Sequence, residues 1–433
     1  MITTEELYKN YLENPLISTD TRNIAEGCIF FALKGDNFNA NTFALQAIEK
    51  GAAFAVVDEA EYAVNEKCLL VADVLSALQD LARHYRKQLN IPVIGLTGSN
   101  GKTTSKELVN AVLAERYKTF ATFGNLNNHI GVPLSILSIK NDVEIAIIEM
   151  GANHQKEIEL LCTIAQPTHG IITNVGMAHL DGFGGFEGVK KGKAELYSYL
   201  KETNGYIFIN RDNNHLMEMS HAEGLSKLIF YGTELGNTTK GTLKSSDPFI
   251  EVEWTNQEQY SEVKTQLTGR YNFENILAAI CIGDFFDMNP EEINKGLSNY
   301  EPKNNRSQLT KTESNTIICD FYNANPSSMS AALSNISALT ANKKVAILGD
   351  MFELGPESAT QHKLIAEQAI KSGLNEIIFI GKYFCALRDE YDAIFFETPN
   401  EAADYITKNK IKDSLILLKG SRGMKLEALL TYL

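Results

Sequence analysis

The stretch from Ile91 to Thr104, IPVIGLTGSNGKTT, limits what this chain can fold into more than any other. Pro92 to Leu96 is a short apolar, β-branched run that predicts a buried strand. Ser105 to Tyr117 carries Leu108, Val109, Val112 and Leu113 at helical spacing. A glycine-rich turn joins the two. Gly98 and Gly101 let the backbone fold until successive N–H groups point inward, and the following helix adds its positive end, which together suit a polyphosphate such as that of ATP. The candidate nucleotide loop is Thr97, Gly98, Ser99, Asn100, Gly101, Lys102, Thr103 and Thr104. Lys102 would reach the terminal phosphates, and the Thr103 hydroxyl would hold Mg²⁺. The generic phosphate-loop spacing wants glycine at position 96, where Leu96 stands and Gly95 comes one place early. Strand, glycines, lysine, paired threonines and helix still agree with one another, which an accidental turn would not produce.

A chain of 433 residues exceeds one ordinary core. Polar linkers and alternating strand and helix patterns predict an α/β protein of three domains. A small α/β unit spans 1–88, a central P-loop mononucleotide-binding domain 89–303, and a doubly wound, Rossmann-like domain 304–433. The formal charge of −14 argues against a nucleic-acid or anionic-membrane partner. No apolar run is long enough to span a bilayer, and the first residues are acidic and polar where a signal peptide would be basic and then apolar, so no membrane insertion and a cytoplasmic location are expected. The six cysteines are scattered without a C-x-x-C pair and read as buried reduced thiols.

Along the first unit, the turn STDTR (Ser18 to Arg22) and the stretch ALKGDNFNAN (Ala32 to Asn41) lie beside the strand Cys28 to Leu33. Thr19, Thr21, Arg22 and Lys34 would suit a nucleotide-sugar pyrophosphate, although such residues taken alone are more often loop polars and caps. In the second unit, the strand Val143 to Ile148 delivers Glu149 at its C-terminal end, the edge where ligands gather in parallel sheets. The strand Gly170 to Thr173 runs into a glycine-rich loop holding His179 and Asp181, and a helix carrying Lys190, Lys191 and Lys193 follows. Asn272 and Asn275 stand near the start of another helix, free to cap it or to hydrogen-bond a purine. Asn299 to Gln308, NYEPKNNRSQ, reads as a hinge. Beyond it, loops after the strands carry YNANPSS, DMFELG and GSRGMK, each at the ligand-binding edge of its sheet.

Seven segments in order, TGSNGKTT, GNLNNHIGVP, IIEMGAN, TNVGMAHLDGFGG, KGKAELY, GRYNFEN and NNRSQ, resemble the Mur ligases of peptidoglycan synthesis over nearly the whole chain. The resemblance implies ATP-dependent amide bond formation. A substrate carboxylate takes the γ-phosphate to give an acyl phosphate and ADP, and an amine then displaces phosphate. YNANPSSM (Tyr322 to Met329) is similar to the motif of the member that joins D-alanyl-D-alanine to UDP-N-acetylmuramoyl-tripeptide, which names the two expected partners. The D-[DN]-P-R motif of the member adding the third stem residue is missing. Where the family often reads D-D-[SA]-Y-N-A-N-P, Cys319 and Phe321 depart while Asp320 remains.

By this resemblance Lys102 and the loop backbone hold the phosphates, Asn128 positions the γ-phosphate or acyl phosphate, and Asn272 and Asn275 lie at the adenine. Arg306 clamps the nucleotide when the last domain closes. Thr103 and Glu149 hold one Mg²⁺; Glu149, His179 and Lys193 hold a second. Lys193 must then be carbamylated by CO₂, because an ammonium cannot ligate a cation. Thr19, Thr21, Arg22 and Lys34 take the nucleotide sugar, and Asp320, Tyr322, Asn323 and Asn325 the dipeptide. A monomer is expected. The rival readings are another ligase of this build, such as folylpolyglutamate synthetase or the third-residue enzyme, and a P-loop nucleotide switch that ligates nothing.

Overall fold

The computed structural model describes residues 1–256, 259–303 and 305–433. Among these residues, three main sheets occur together with one short hairpin, Lys34–Gly35 with Phe38–Asn39. The first is wholly parallel and follows chain order through Ile17–Ser18, Ile29–Phe31, Phe54–Val57 and Cys68–Leu70. The helix Val74–Arg86 closes this unit, capped by the Asp73 side chain, which accepts from the Ser76 N–H at 2.7 Å. Its apolar stripe of Val74, Leu78, Leu81, Ala82 and Tyr85 does not stop at its own sheet. The same buried cluster continues through Val132 and Ile136 of the helix Gly131–Leu137 and through Leu161 of the helix Glu157–Ala165. Tyr11 Oη donates to the Leu137 carbonyl, Tyr85 Oη to that of Ile139 (both 2.6 Å), and buried Arg86 Nε to that of Ala165 at 2.9 Å. The first sheet and its closing helix are therefore cemented to the elements that follow.

The central sheet has nine strands among the described residues. Val93–Thr97 lies between Ile145–Glu149 and His169–Ile172, parallel to both, so the strand order turns around beside it. That is where an open parallel sheet leaves a crevice. The far edge becomes antiparallel: Thr239–Ser245, Glu251–Thr255 and Tyr260–Lys264 form the meander that alternation predicts. One face is covered by the helices Lys102–Leu113, Phe273–Phe285 and Pro290–Asn299, burying Leu108, Val112, Ile276 and Ile280. The nucleotide-loop helix starts at Lys102, three residues earlier than its apolar spacing indicates, because Gly101 takes a left-handed φ of 76° and lets the helix begin directly behind it.

The third sheet is ordered Gln308–Lys311, Asn315–Cys319, Ser414–Lys419, Lys344–Gly349, Glu376–Ile380 and Ile394–Phe396, and only its first strand is antiparallel. Separate apolar clusters fill its two faces, as a doubly wound fold requires. Asn304, the first residue of the expected third domain and part of the expected hinge, lies outside the described residues. No helix or strand occurs in 305–307, where Asn305 and Ser307 have positive φ. Among the described residues no helix is long and apolar enough to cross a membrane.

Candidate active site

The C-terminal edges of the second and third sheets face each other across a cavity of about 940 Å³. One wall is the nucleotide loop. Gly98 has a φ of 146°, and a Cβ there would lie 2.0 Å from Thr173 Oγ1; that hydroxyl donates to the Asn100 carbonyl at 2.6 Å. Asn174 accepts from the N–H of both Ser99 and Asn100, through its carbonyl and its Oδ1 respectively. The loop after His169–Ile172 thus holds the phosphate loop in shape. Lys102 Nζ donates to the carbonyls of Gly98 (2.8 Å) and Ser99 (3.3 Å), and burial lowers its pKa. Thr97 is fully buried at the strand end and, like Gly98, stands behind the cavity lining.

Glu149 is the last residue of its strand and is 1% exposed. Its carboxylate accepts from Thr103 Oγ1 at 2.9 Å and Asn127 Nδ2 at 2.8 Å, and its N–H donates to Thr122 Oγ1 at 3.0 Å. Buried Lys106 supports this arrangement by donating to the Thr122 carbonyl. Asn128 Oδ1 accepts from the N–H groups of Ile130 and Gly131, which leaves the amide NH₂ as its group for a ligand. Asn272 and Asn275 are tied together at 2.9 Å, and Asn275 also takes Ser105 Oγ at 3.0 Å. They brace the phosphate loop from behind Gly101, where a Cβ would meet Asn275 Oδ1 at 2.8 Å, while both still line the cavity.

His179 has a left-handed φ of 52° and lines the cavity. Burial lowers its pKa, with the positive charges of Lys102 and Lys193 adding to that and the carboxylate of Glu353 opposing it. Lys193, on the helix Phe186–Glu202, is 2% exposed and stands one layer back. Its Nζ lies 3.4 Å from the carbonyl of Ala152, which does line the cavity, and 5.2 Å from the centre of the Phe183 ring. Burial, helped by the charge of Lys102, lowers its pKa from 10.5 to about 7.

No group of three or more His, Cys, Asp or Glu side chains is arranged to hold a metal among the described residues. The touching oxygens of Thr103 and Glu149 are the hard donors that Mg²⁺ takes. Glu149 and His179 line the same cavity, and a carbamate on the lysine behind it would add further oxygen donors.

The opposite wall comes from the third domain. Asp320 follows the strand Asn315–Cys319 and pairs with buried Lys419 at 2.7 Å. Cys319 and Phe321, the two departures from the common motif, point into the core and are 1% and 3% exposed. Tyr322 is covered by two guanidinium groups, Arg306 at 3.8 Å and Arg422 at 5.2 Å from its ring centre. Buried Arg306 Nε has no hydrogen-bond partner. Asn323 Oδ1 accepts from the Ala324 N–H, and its carbonyl accepts from Lys419. Asn325 caps the helix Pro326–Ala338 through the Ser328 N–H and reaches across to Asn100 Oδ1 at 2.7 Å.

Thr19, Thr21, Arg22 and Lys34 are not brought to this cavity. They stay on the first unit, where Arg22 pairs with Asp20 and Lys34 with Asp58 and Glu59, the latter two contacts at 2.8 Å. Asn127, His129, Glu353 and Lys419 line the cavity and were not singled out from the sequence. Asn127 is adjacent to Asn128 in GNLNNH, and Glu353 and Lys419 sit in or beside loops recognised only as strand ends, so the signal was position rather than residue type.

Residues 96–283 match the Mur ligase middle domain, and residues 305–422 match the family described as Mur ligase, glutamate ligase domain. The chain belongs to the Mur ligase family, a class of ATP-dependent amide ligases. Within it, the chain is 35% identical to the UDP-N-acetylmuramoyl-tripeptide–D-alanyl-D-alanine ligase of Bacillus subtilis, over 98% of this chain and 95% of that one. Its fold is similar to MurF from Acinetobacter baumannii, with a TM-score of 0.88 and 31% identity over 96% of this chain and 92% of that one. It is also similar to MurF ligase from Thermotoga maritima in complex with ADP, at 0.86 and 26% identity over 97% of both chains.

Proposed function

We infer that this chain joins D-alanyl-D-alanine to UDP-N-acetylmuramoyl-tripeptide at the expense of ATP, a step in peptidoglycan precursor synthesis. The observation that carries the reading is one cavity walled on one side by the phosphate loop with Glu149 and His179. On the other side stand Asp320, Tyr322, Asn323 and Asn325, and Asn100 and Asn325 touch across it.

A carboxylate is a poor electrophile in water, and phosphorylation turns one of its oxygens into a leaving group. The tripeptide carboxylate attacks the γ-phosphorus of ATP and releases ADP; the dipeptide amine then attacks the acyl carbon and releases phosphate. The protein's contribution is positioning and charge neutralisation. The loop N–H groups and Lys102 cradle the phosphates once Lys102 leaves its two carbonyl partners. Asn128 offers its amide to the transferring phosphoryl group, and the unpaired Nε of Arg306 gives the nucleotide a further donor. The third domain shields the acyl phosphate from water.

Thr103 and Glu149 would hold one Mg²⁺, and Glu149, His179 and a carbamylated Lys193 a second; Mg²⁺ bound there neutralises phosphate charge. Neutral Lys193 Nζ can attack CO₂, forming an N–C bond and losing one proton to give the carbamate. Its lowered pKa supports this. The long substrate would lay its nucleotide sugar on the first unit near Thr19, Thr21, Arg22 and Lys34, after Lys34 exchanges a carboxylate for a phosphate. A monomeric enzyme at work in the cytoplasm is part of this reading.

A P-loop switch that ligates nothing leaves the dipeptide wall without a use. The deciding measurement is phosphate release with ATP, UDP-muramoyl tripeptide and either D-alanyl-D-alanine or single amino acids. Turnover is expected with the dipeptide alone. Release with no acceptor, or with single amino acids instead, would overturn the reading.

A further inference from the structure

Lys419 is the last residue of the strand Ser414–Lys419, is 2% exposed, and carries none of the roles assigned above. The neighbouring strand Asn315–Cys319 runs parallel to it, and the Asp320 N–H just beyond donates to the Leu418 carbonyl at 3.0 Å. The two strand ends thereby deliver Lys419 and Asp320 side by side. The ammonium donates to Asp320 Oδ2 at 2.7 Å and to the carbonyls of Asp320 and Asn323, both at 3.3 Å. These contacts use all three N–H groups that a lysine has. A cation so occupied has no donor left for a substrate, and its work is on the turn it spans.

Two routes lead from that turn to Arg306. Along the first, the other Asp320 oxygen, Oδ1, accepts from the Ser307 N–H at 3.3 Å, and Ser307 Oγ pairs with Tyr271 Oη of the central domain at 2.7 Å. Asn305 and Ser307, on either side of Arg306, have φ of 57° and 49°, a left-handed backbone that non-glycine residues seldom take and that needs support from its surroundings. The second route is Tyr322, inside the turn, whose ring centre lies 3.8 Å from the Arg306 guanidinium. Arg306 in turn stands toward the phosphate loop. Its buried Nε has no partner, and both it and Lys102 line the cavity. Burial lowers the pKa of Lys102 against the opposing charge of Glu149, and the charge of Arg306 adds to that lowering.

We propose that Lys419 is a positioning residue that, through Asp320 and the 320–323 turn, fixes the Arg306 guanidinium toward the phosphate loop. A buried charge at a strand end thus serves nucleotide binding through its neighbours. The proposal rests on the nucleotide-binding role given to Arg306 above.

The test is a double-mutant cycle in the full chain, read by calorimetric affinity for the β,γ-methylene analogue of ATP with Mg²⁺. Lys419→Met and Arg306→Ala should each weaken binding by about tenfold, and the double variant should stay within about twofold of the weaker single, because losing Lys419 costs nothing further once Arg306 is gone. Lys419→Arg keeps a charge opposite Asp320 without three divergent donors, and should regain part of the loss. Lys419→Met leaves a carboxylate without its cation, so its thermal midpoint is measured alongside. If that variant does not fold, Asp320→Asn combined with Arg306→Ala reads the same coupling. Losses that multiply to about a hundredfold in the double variant, or an affinity of Lys419→Met within about twofold of wild type, overturn the proposal. Wild-type protein that does not bind the analogue overturns it as well. Wild-type protein that binds the analogue but shows no dipeptide-dependent phosphate release would instead overturn the ligase reading, and the cycle would still decide the role of Lys419.

Discussion

Replacing Lys193 by methionine should make the protein more stable and abolish ligation. Lys193 is 2% exposed, and its ammonium has one distant carbonyl, Ala152 at 3.4 Å, and the Phe183 ring as company. Burial lowers its pKa from 10.5 to about 7. Each pH unit between the folded and unfolded values is worth about 1.4 kcal/mol, so keeping this group in the folded protein at pH 7 costs about 4 kcal/mol. The folded value lies below the unfolded one, so between about pH 7 and 10.5 the unfolded chain binds the extra proton. Stability contributed by this site therefore rises with pH through that window, and below about 7 the full penalty is present. Methionine has a similar volume and no charge, which removes the penalty at every pH. In buffer stripped of CO₂, urea unfolding at pH 7 should place the midpoint of Lys193→Met above wild type, and the gap should close as pH rises toward 10. Phosphate release should fall to background in the same variant. A midpoint below wild type at pH 7, or a gap that does not change with pH, would refute the idea of a buried amine held against its charge. Full activity in the variant would exclude the carbamate.

Three further outcomes are expected. Glu149→Gln removes the negative charge from a carboxylate held by Thr103 and Asn127, and should lower dipeptide-dependent phosphate release by roughly two orders of magnitude with an unchanged thermal midpoint or a higher one. Gly101→Ala strains a backbone at φ 76° and drives a Cβ to 2.8 Å from Asn275 Oδ1, so calorimetric ADP affinity should drop at least tenfold. Tyr85→Phe removes the 2.6 Å bond to the Ile139 carbonyl and leaves a buried acceptor unpaired, which should cost about 1–3 kcal/mol in urea unfolding and leave kcat within twofold.

The α/β alternation and the phosphate loop could be read directly because both are local. Strand pattern, glycines and the helix behind them lie within about two dozen residues, and their physics needs no distant partner. The antiparallel meander at the edge of the central sheet is local in the same way. Glu149 could be placed at a sheet edge from the apolar run before it. Asn272 and Asn275 were open between capping and ligand binding, and the structure shows a third use, as braces packed behind Gly101.

Sequence alone determined that a polyphosphate loop opens a parallel-sheet domain and that a second α/β sheet offers its strand ends to a ligand. Tertiary structure alone decided which side chains meet. It drew Asn100 to Asn325 and His179 to Glu353 across more than a hundred residues, set Lys193 one layer behind the wall, and left Thr19, Thr21, Arg22 and Lys34 on a separate surface. The cause is physical: burial and desolvation, which depress the Lys193 amine, and contacts between domains, such as that of Asn325 with Asn100, depend on three-dimensional surroundings that no spacing along a chain encodes.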